Sequence, residues 1–219
     1  MSECGCSGPQ KTFDGMSTRY KQILWVVIAI NASMFFVEMA AGHLAGSQAL
    51  QADALDFLGD AMTYGISLAA IGASVAVRTN AALFKALTLF VMGLWVAGST
   101  VWRVFYIGIP EAEIMGMIGF LALLANVASV LLLMKYKDGD ANVRSVWLCS
   151  RNDAIGNAAV MIAALGVWGT ASGWPDLIVA GVMAGLFLSS ATQILRQALA
   201  EKKAGQIREV IDPHSHPSS

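Results

Sequence analysis

The stretch Ala52-Asp53-Ala54-Leu55-Asp56-Phe57-Leu58-Gly59-Asp60 sets three carboxylates inside an otherwise apolar segment running from about Gly46 to Val77. Nothing else in the chain is as costly, because a charge at the centre of a bilayer costs at least ~2.5–3.5 kcal/mol on insertion scales. On a helix of roughly 3.6 residues per turn, offsets of three, four and seven bring Asp53, Asp56 and Asp60 onto one narrow face. That face must look away from lipid. Further along, Cys149-Ser150-Arg151-Asn152-Asp153 repeats the i, i+4 arrangement with Cys149 and Asp153, and it too opens a long apolar run. The pairs Asp56 with Asp60 and Cys149 with Asp153 together suggest four ligands for one metal ion.

Composition supplies the setting. A chain of 219 residues that is 56% hydrophobic and 13% charged, with mean hydropathy +0.61, lies far outside the soluble range. An all-α integral membrane protein is expected. Windows of the ~20 apolar residues needed to cross a hydrocarbon core of ~30 Å recur six times, at about 21–41, 46–77, 82–104, 114–135, 142–167 and 175–198. Residues 1–18 then read as a disordered cytoplasmic tail without the pattern of a signal peptide. Residues 19–200 form one six-helix transmembrane transport domain, and 201–219 a short cytoplasmic tail. Nothing in the chain points to nucleic acid.

Basic residues near helix ends accumulate on the cytoplasmic side. Lys11, Arg19 and Lys21 precede the first span, Arg78 and Lys85 separate the second from the third, and Lys135, Lys137 and Arg144 separate the fourth from the fifth. Arg196, Lys202, Lys203 and Arg208 follow the sixth, whereas the opposite loops hold only Arg103 at their margin. Both termini are therefore expected in the cytoplasm. At ~1.5 Å of rise per residue, Asp56 and Asp60 lie roughly 15 and 21 Å below the outer edge, and Cys149 and Asp153 roughly 14 and 20 Å above the inner one. Both pairs reach the middle, where antiparallel neighbours could converge.

Other polar residues carry weaker expectations. Asn31 and Glu38 share a face of the first helix, and Glu38 either lines a polar vestibule or packs near the outer interface. His43, in the outer loop, could gather cations. A buried Asn126 suits an interhelical hydrogen bond, and Asn157 extends the face of Cys149 and Asp153 while Gly156 permits close helix approach. Pro175-Asp176 suits a first helical turn, with the aspartate as a cap. Trp95, Trp102 and Tyr106 are expected to anchor interfaces or pack against neighbours. Cys4-Gly5-Cys6 and His214-Ser215-His216 are weak metal signals in flexible tails.

Taken together, Asn31 and Glu38, the run Gly46-Ser47 to Ala52-Asp53-Ala54-Leu55, the Asp56-x-x-x-Asp60 pair, and Asp153 with Asn157 resemble the cation diffusion facilitators across nearly all six helices. The resemblance implies a homodimeric antiporter of divalent cations and protons, exporting zinc or a related metal through a site shared by helices 2 and 5. Two positions depart from that pattern. Family members commonly have His where this chain has Cys149, and they usually carry a cytoplasmic metal-binding domain after helix 6, where about twenty residues remain here.

The chemistry agrees with transport. Three carboxylates and a thiolate in low dielectric cannot all stay ionised unless a divalent cation or protons neutralise them, so metal and protons compete. An O3S ligand set suits Zn2+, and the thiolate favours Cd2+ over hard ions. Zn2+ or Cd2+ is thus expected as transported substrate rather than prosthetic group, in a bacterial inner membrane. A passive metal channel and an intramembrane metalloenzyme are the alternatives; no H-E-x-x-H sequence supports the latter.

Overall fold

A computed structural model describes residues 17–69, 75–106, 108–136 and 141–211, with the side chains of 67, 75–79, 81, 136, 141–152, 197 and 201–211 outside the description. Cys4, Cys6, His214 and His216, and the side chains of Cys149 and Arg151, therefore lie outside the described residues. The described chain forms α1 (Thr18–Ala45), α2 (Gln48–Ala69), α3 (Val75–Phe105), α4 (Ala112–Leu133), α5 (Ala141–Thr170) and α6 (Trp174–Ile211), with a short 3-10 turn at Met134–Tyr136. Among the described residues there is no strand. The all-α expectation and its order of elements hold.

Helix ends differ from the hydropathy windows. The second window was expected to run to Val77, but α2 ends at Ala69, and α3 already begins at Val75, so Arg78-Thr79-Asn80, expected as an inner loop, are helical. At the far end α6 continues through Glu201-Lys202-Lys203-Ala204 to Ile211. The reason is common to both. Hydropathy marks where apolar surface stops, whereas a helix needs only its internal backbone bonds to continue past that point.

The helices pair as α3 on α6, α1 on α2 and α4 on α5, while α2 also touches α3, α5 and α6. One core joins Ala52 and Leu55 of α2 to Leu89, Met92 and Val96 of α3 and to Met183 and Phe187 of α6. Gly93 allows the tight α3–α6 approach, since a Cβ there would lie 2.9 Å from the Leu188 side chain.

The polarity of this bundle runs opposite to that of a soluble protein. Trp25, Phe36, Leu87, Trp95, Trp168 and Leu186 are exposed, while Asn31, Glu38, Asp53, Asn126, Asn157 and Asp176 are buried. Lipid satisfies such a surface. Five of the described helices are long and apolar enough to cross a membrane: α1, α4 and the segments Ala82–Phe105, Asp153–Thr170 and Trp174–Ala200 of α3, α5 and α6. Helix α2, with its aspartates, packs among them. The chain is an integral membrane protein.

The ends of α1, α3 and α6 meet around the start of α2. Gly46 closes α1 in the left-handed region (φ 67°), where only glycine is unstrained, and its carbonyl accepts a bond from Arg103 Nη1 at 2.9 Å. Asp176 was expected to cap its own helix. Instead its carboxylate reaches α2, accepting from Ser47 Oγ at 2.6 Å and from the amides of Gln48 and Ala49 at 2.8 and 3.0 Å. Those amides are orphans of a first helical turn, and an anion suits that positive end.

Candidate functional site

The face of α2 predicted from spacing exists, but its carboxylates work at two depths. Asp56 and Asp60 line a cleft of about 440 Å³ bounded by α2, α3, α5 and α6. Asp153 of α5 lines the same cleft, and its side chain lies close enough to those of Asp56 and Asp60 to interact with both. Tyr64, buried one turn beyond Asp60, donates its hydroxyl to Asp60 Oδ2. A phenol donor fixes one carboxylate oxygen and leaves the other for a different partner. The convergence of helices 2 and 5 inferred from depth is thus present for three of the four expected ligands; the side chain of the fourth, Cys149, lies outside the described residues. Among the described residues no group of three or more His, Cys, Asp or Glu forms a ready-made metal cage. The carboxylates line an open cleft rather than close on a point.

Asp53 sits seven residues before Asp60, about 10 Å nearer the start of α2 at ~1.5 Å per residue, and does not line that cleft. It meets Glu38 of α1, and the pair is buried. Asn31 donates Nδ2 to the Val27 carbonyl at 2.8 Å. Its Oδ1, the Oδ1 of Asn126 and both polar side-chain atoms of Asn157 are buried without a hydrogen-bond partner among the described residues. Asn157 is therefore interior, one turn past Asp153, but outside the cleft lining. His43 is exposed on the last turn of α1, again away from the cleft.

One lining residue escaped the sequence reading. Lys85 of α3 reaches the cleft, and its charge acts on both Asp56 and Asp60. In the sequence it counts only as one more basic residue near a helix end. The signal that could have found it is the register Lys85-x-x-x-Leu89, which puts it on the stripe of α3 that packs against α2.

A membrane-embedded helical bundle that carries acidic side chains inward, from two helices into one cleft, is built to handle cations. Residues 24–201 match the family described as the cation efflux transmembrane domain, and the chain belongs to that family. It is 29% identical over 206 residues to the zinc transporter ZitB of Yersinia pestis, covering 85% of this chain and 64% of that protein. It is 28% identical over 188 residues to the metal cation efflux system protein CzcD of Cupriavidus metallidurans, covering 78% and 58%. The zinc transporter ZitB of Escherichia coli is 29% identical over 197 residues, covering 83% and 62%. The chain thus spans about three fifths of the length of these relatives.

Proposed function

We propose that this chain exports a divalent metal cation across a membrane by exchange for protons, with Asp56, Asp60, Cys149 and Asp153 as ligands to the ion in transit. The observation that carries this reading is the contact of Asp153 with both Asp56 and Asp60 across α2 and α5. Carboxylates held that close in a low-dielectric interior repel one another unless a cation or protons lie between them. Metal and protons then exclude each other from one place, which is the physical requirement of antiport. The names of the zinc and metal-cation transporters that the chain resembles support the same substrate class.

Zn2+ or Cd2+ is the substrate and not a resident cofactor, and the protein is a transporter rather than an enzyme. It works as a homodimer in a bacterial inner membrane, with Glu38, Asp53, Asn31 and Asn157 lining or bracing the route and His43 at its outer end. Alternating exposure of the cleft requires α2 and α5 to present it to each side in turn.

Purified protein in sealed vesicles tests this. An imposed pH gradient should drive metal uptake, and Asp60→Ala should abolish it. Uptake at the wild-type rate by Asp60→Ala would remove the site assignment, and flux indifferent to the proton gradient would mark a passive channel instead.

A further inference from the structure

The cleft holds one charged group that the transport reading does not use. Lys85 lines it together with Asp56, Asp60 and Asp153. It reaches the cleft from α3, within the membrane-length segment Ala82–Phe105, where the only other charged residue is Arg103 near the opposite end. Leu89, one turn on, lines the same cleft and packs in the α2–α3–α6 core. Lys85 therefore stands on the inward stripe of its helix and not on the lipid face. An ammonium in such a span is costly unless it balances opposite charge, and here its charge bears on both α2 carboxylates.

Formal charge explains the combination. Three ionised carboxylates against one divalent ion leave one negative charge, or two where the Cys149 thiolate also binds, and the ammonium offsets one of them. We propose that Lys85 is a tethered counter-charge of the metal site, which brings the loaded cleft closer to neutrality and holds its affinity for a divalent ion below what the anionic ligands alone would give. This rests on reading the cleft as the site of the transported cation. A loaded site with less net charge can be re-exposed through low dielectric at less cost than a more highly charged one. Weakened binding also lets the ion leave, which a transporter needs as much as capture.

The test is a charge series at one position: Zn2+ titrated calorimetrically into the purified full chain as wild type, Lys85→Arg, Lys85→Gln, Lys85→Met and Lys85→Glu, with Asp60→Asn alongside. Lys85→Arg should bind as wild type does. Lys85→Gln and Lys85→Met should bind at least about tenfold more tightly, the scale of a unit charge acting on a divalent ion about 6 Å away even at bulk-water dielectric, and Lys85→Glu more tightly still. Vesicle transport should slow as binding tightens. A residue needed only for folding would weaken binding when replaced and would not order the series by charge, and Met keeps the length of the stem should Gln perturb it. If Lys85→Gln and Lys85→Met bind no more tightly than wild type while Asp60→Asn loses binding, the cleft stands as the metal site and the assignment of Lys85 is overturned. If wild type binds no better than Asp60→Asn, the reading of the cleft itself fails, and the counter-charge with it.

Discussion

Glu38 of α1 and Asp53 of α2 touch carboxyl to carboxyl in the interior, with 0% and 1% of their surfaces exposed. Neither Glu38 oxygen, nor Asp53 Oδ2, has a hydrogen-bond partner among the described residues. Ionised carboxylates only accept hydrogen bonds, so two of them side by side cannot bond each other directly. The pair stands where α1 packs on α2 and outside the lining of the cleft.

Replacing one member separates the bond from the charge. Glu38→Gln supplies an amide donor to Asp53 and should leave thermal stability in detergent nearly unchanged. Glu38→Ala strands a buried carboxyl and opens a cavity, at a cost of about 2–4 kcal/mol. Unfolding monitored by size-exclusion or fluorescence melting distinguishes them. Equal melting temperatures for the two variants would show that the pair contributes no bond.

The clamp at Asp176 makes a second stability prediction. Three bonds converge on its carboxylate from Ser47, Gln48 and Ala49, and bonds to a charged group contribute ~1.5–3 kcal/mol each before losses are shared. Asp176→Ala should cost about 3 kcal/mol and release the start of α2 to hydrogen exchange. Asp176→Asn, which keeps one acceptor oxygen, should fall between. The exchange should rise at Gln48, Ala49 and Leu50 first, because Ser47 Oγ, itself held by Asp176, accepts the Leu50 amide. Unaltered protection of those three amides would mean that α2 is held by its packing alone.

How far the sequence carries is visible in these same residues. Six apolar segments and their alternating direction follow from composition, because lipid imposes one demand along each span. The acidic face of α2 follows from the helical repeat alone. What spacing cannot supply is the partner across a helix boundary. Asp53 and Asp60 share a face, yet one meets α1 and the other α5, since they stand two turns apart. Asp176 carries the signature of a cap without saying which helix it caps. Lys85 looks like any positive residue near a helix end until α3 is rotated onto α2. Helix ends fail for a related reason: Arg78-Thr79-Asn80 are polar enough for a loop, but polarity outside the membrane does not break a helix.

Tyr64 offers a test of how firmly Asp60 must be held. Its hydroxyl, buried with the ring, donates to the carboxylate, in the manner of the outer groups that orient metal ligands. Tyr64→Phe keeps the ring and removes the hydroxyl that makes that bond. Zn2+ affinity should fall by roughly tenfold, the lower end of what such partners contribute, with the fold intact by circular dichroism. If affinity is unchanged, Asp60 is positioned by its contact with Asp153 and the phenol serves packing.

Cys149 bears on which metal the chain prefers. It precedes Asp153 by four residues in α5, one turn earlier on the same helical face. A thiolate ranks Cd2+ well above hard cations, whereas imidazole suits Zn2+. If the thiol joins the ion, Cys149→Ser should weaken Cd2+ binding by about ten times more than Zn2+ binding, and Cys149→His should turn the preference toward Zn2+. The ratio of the two affinities is the decisive quantity, because a general disturbance of α5 lowers both together. A ratio that does not move in either variant would make Cys149 a small apolar filler, leaving Asp56, Asp60 and Asp153 to complete their shell with water.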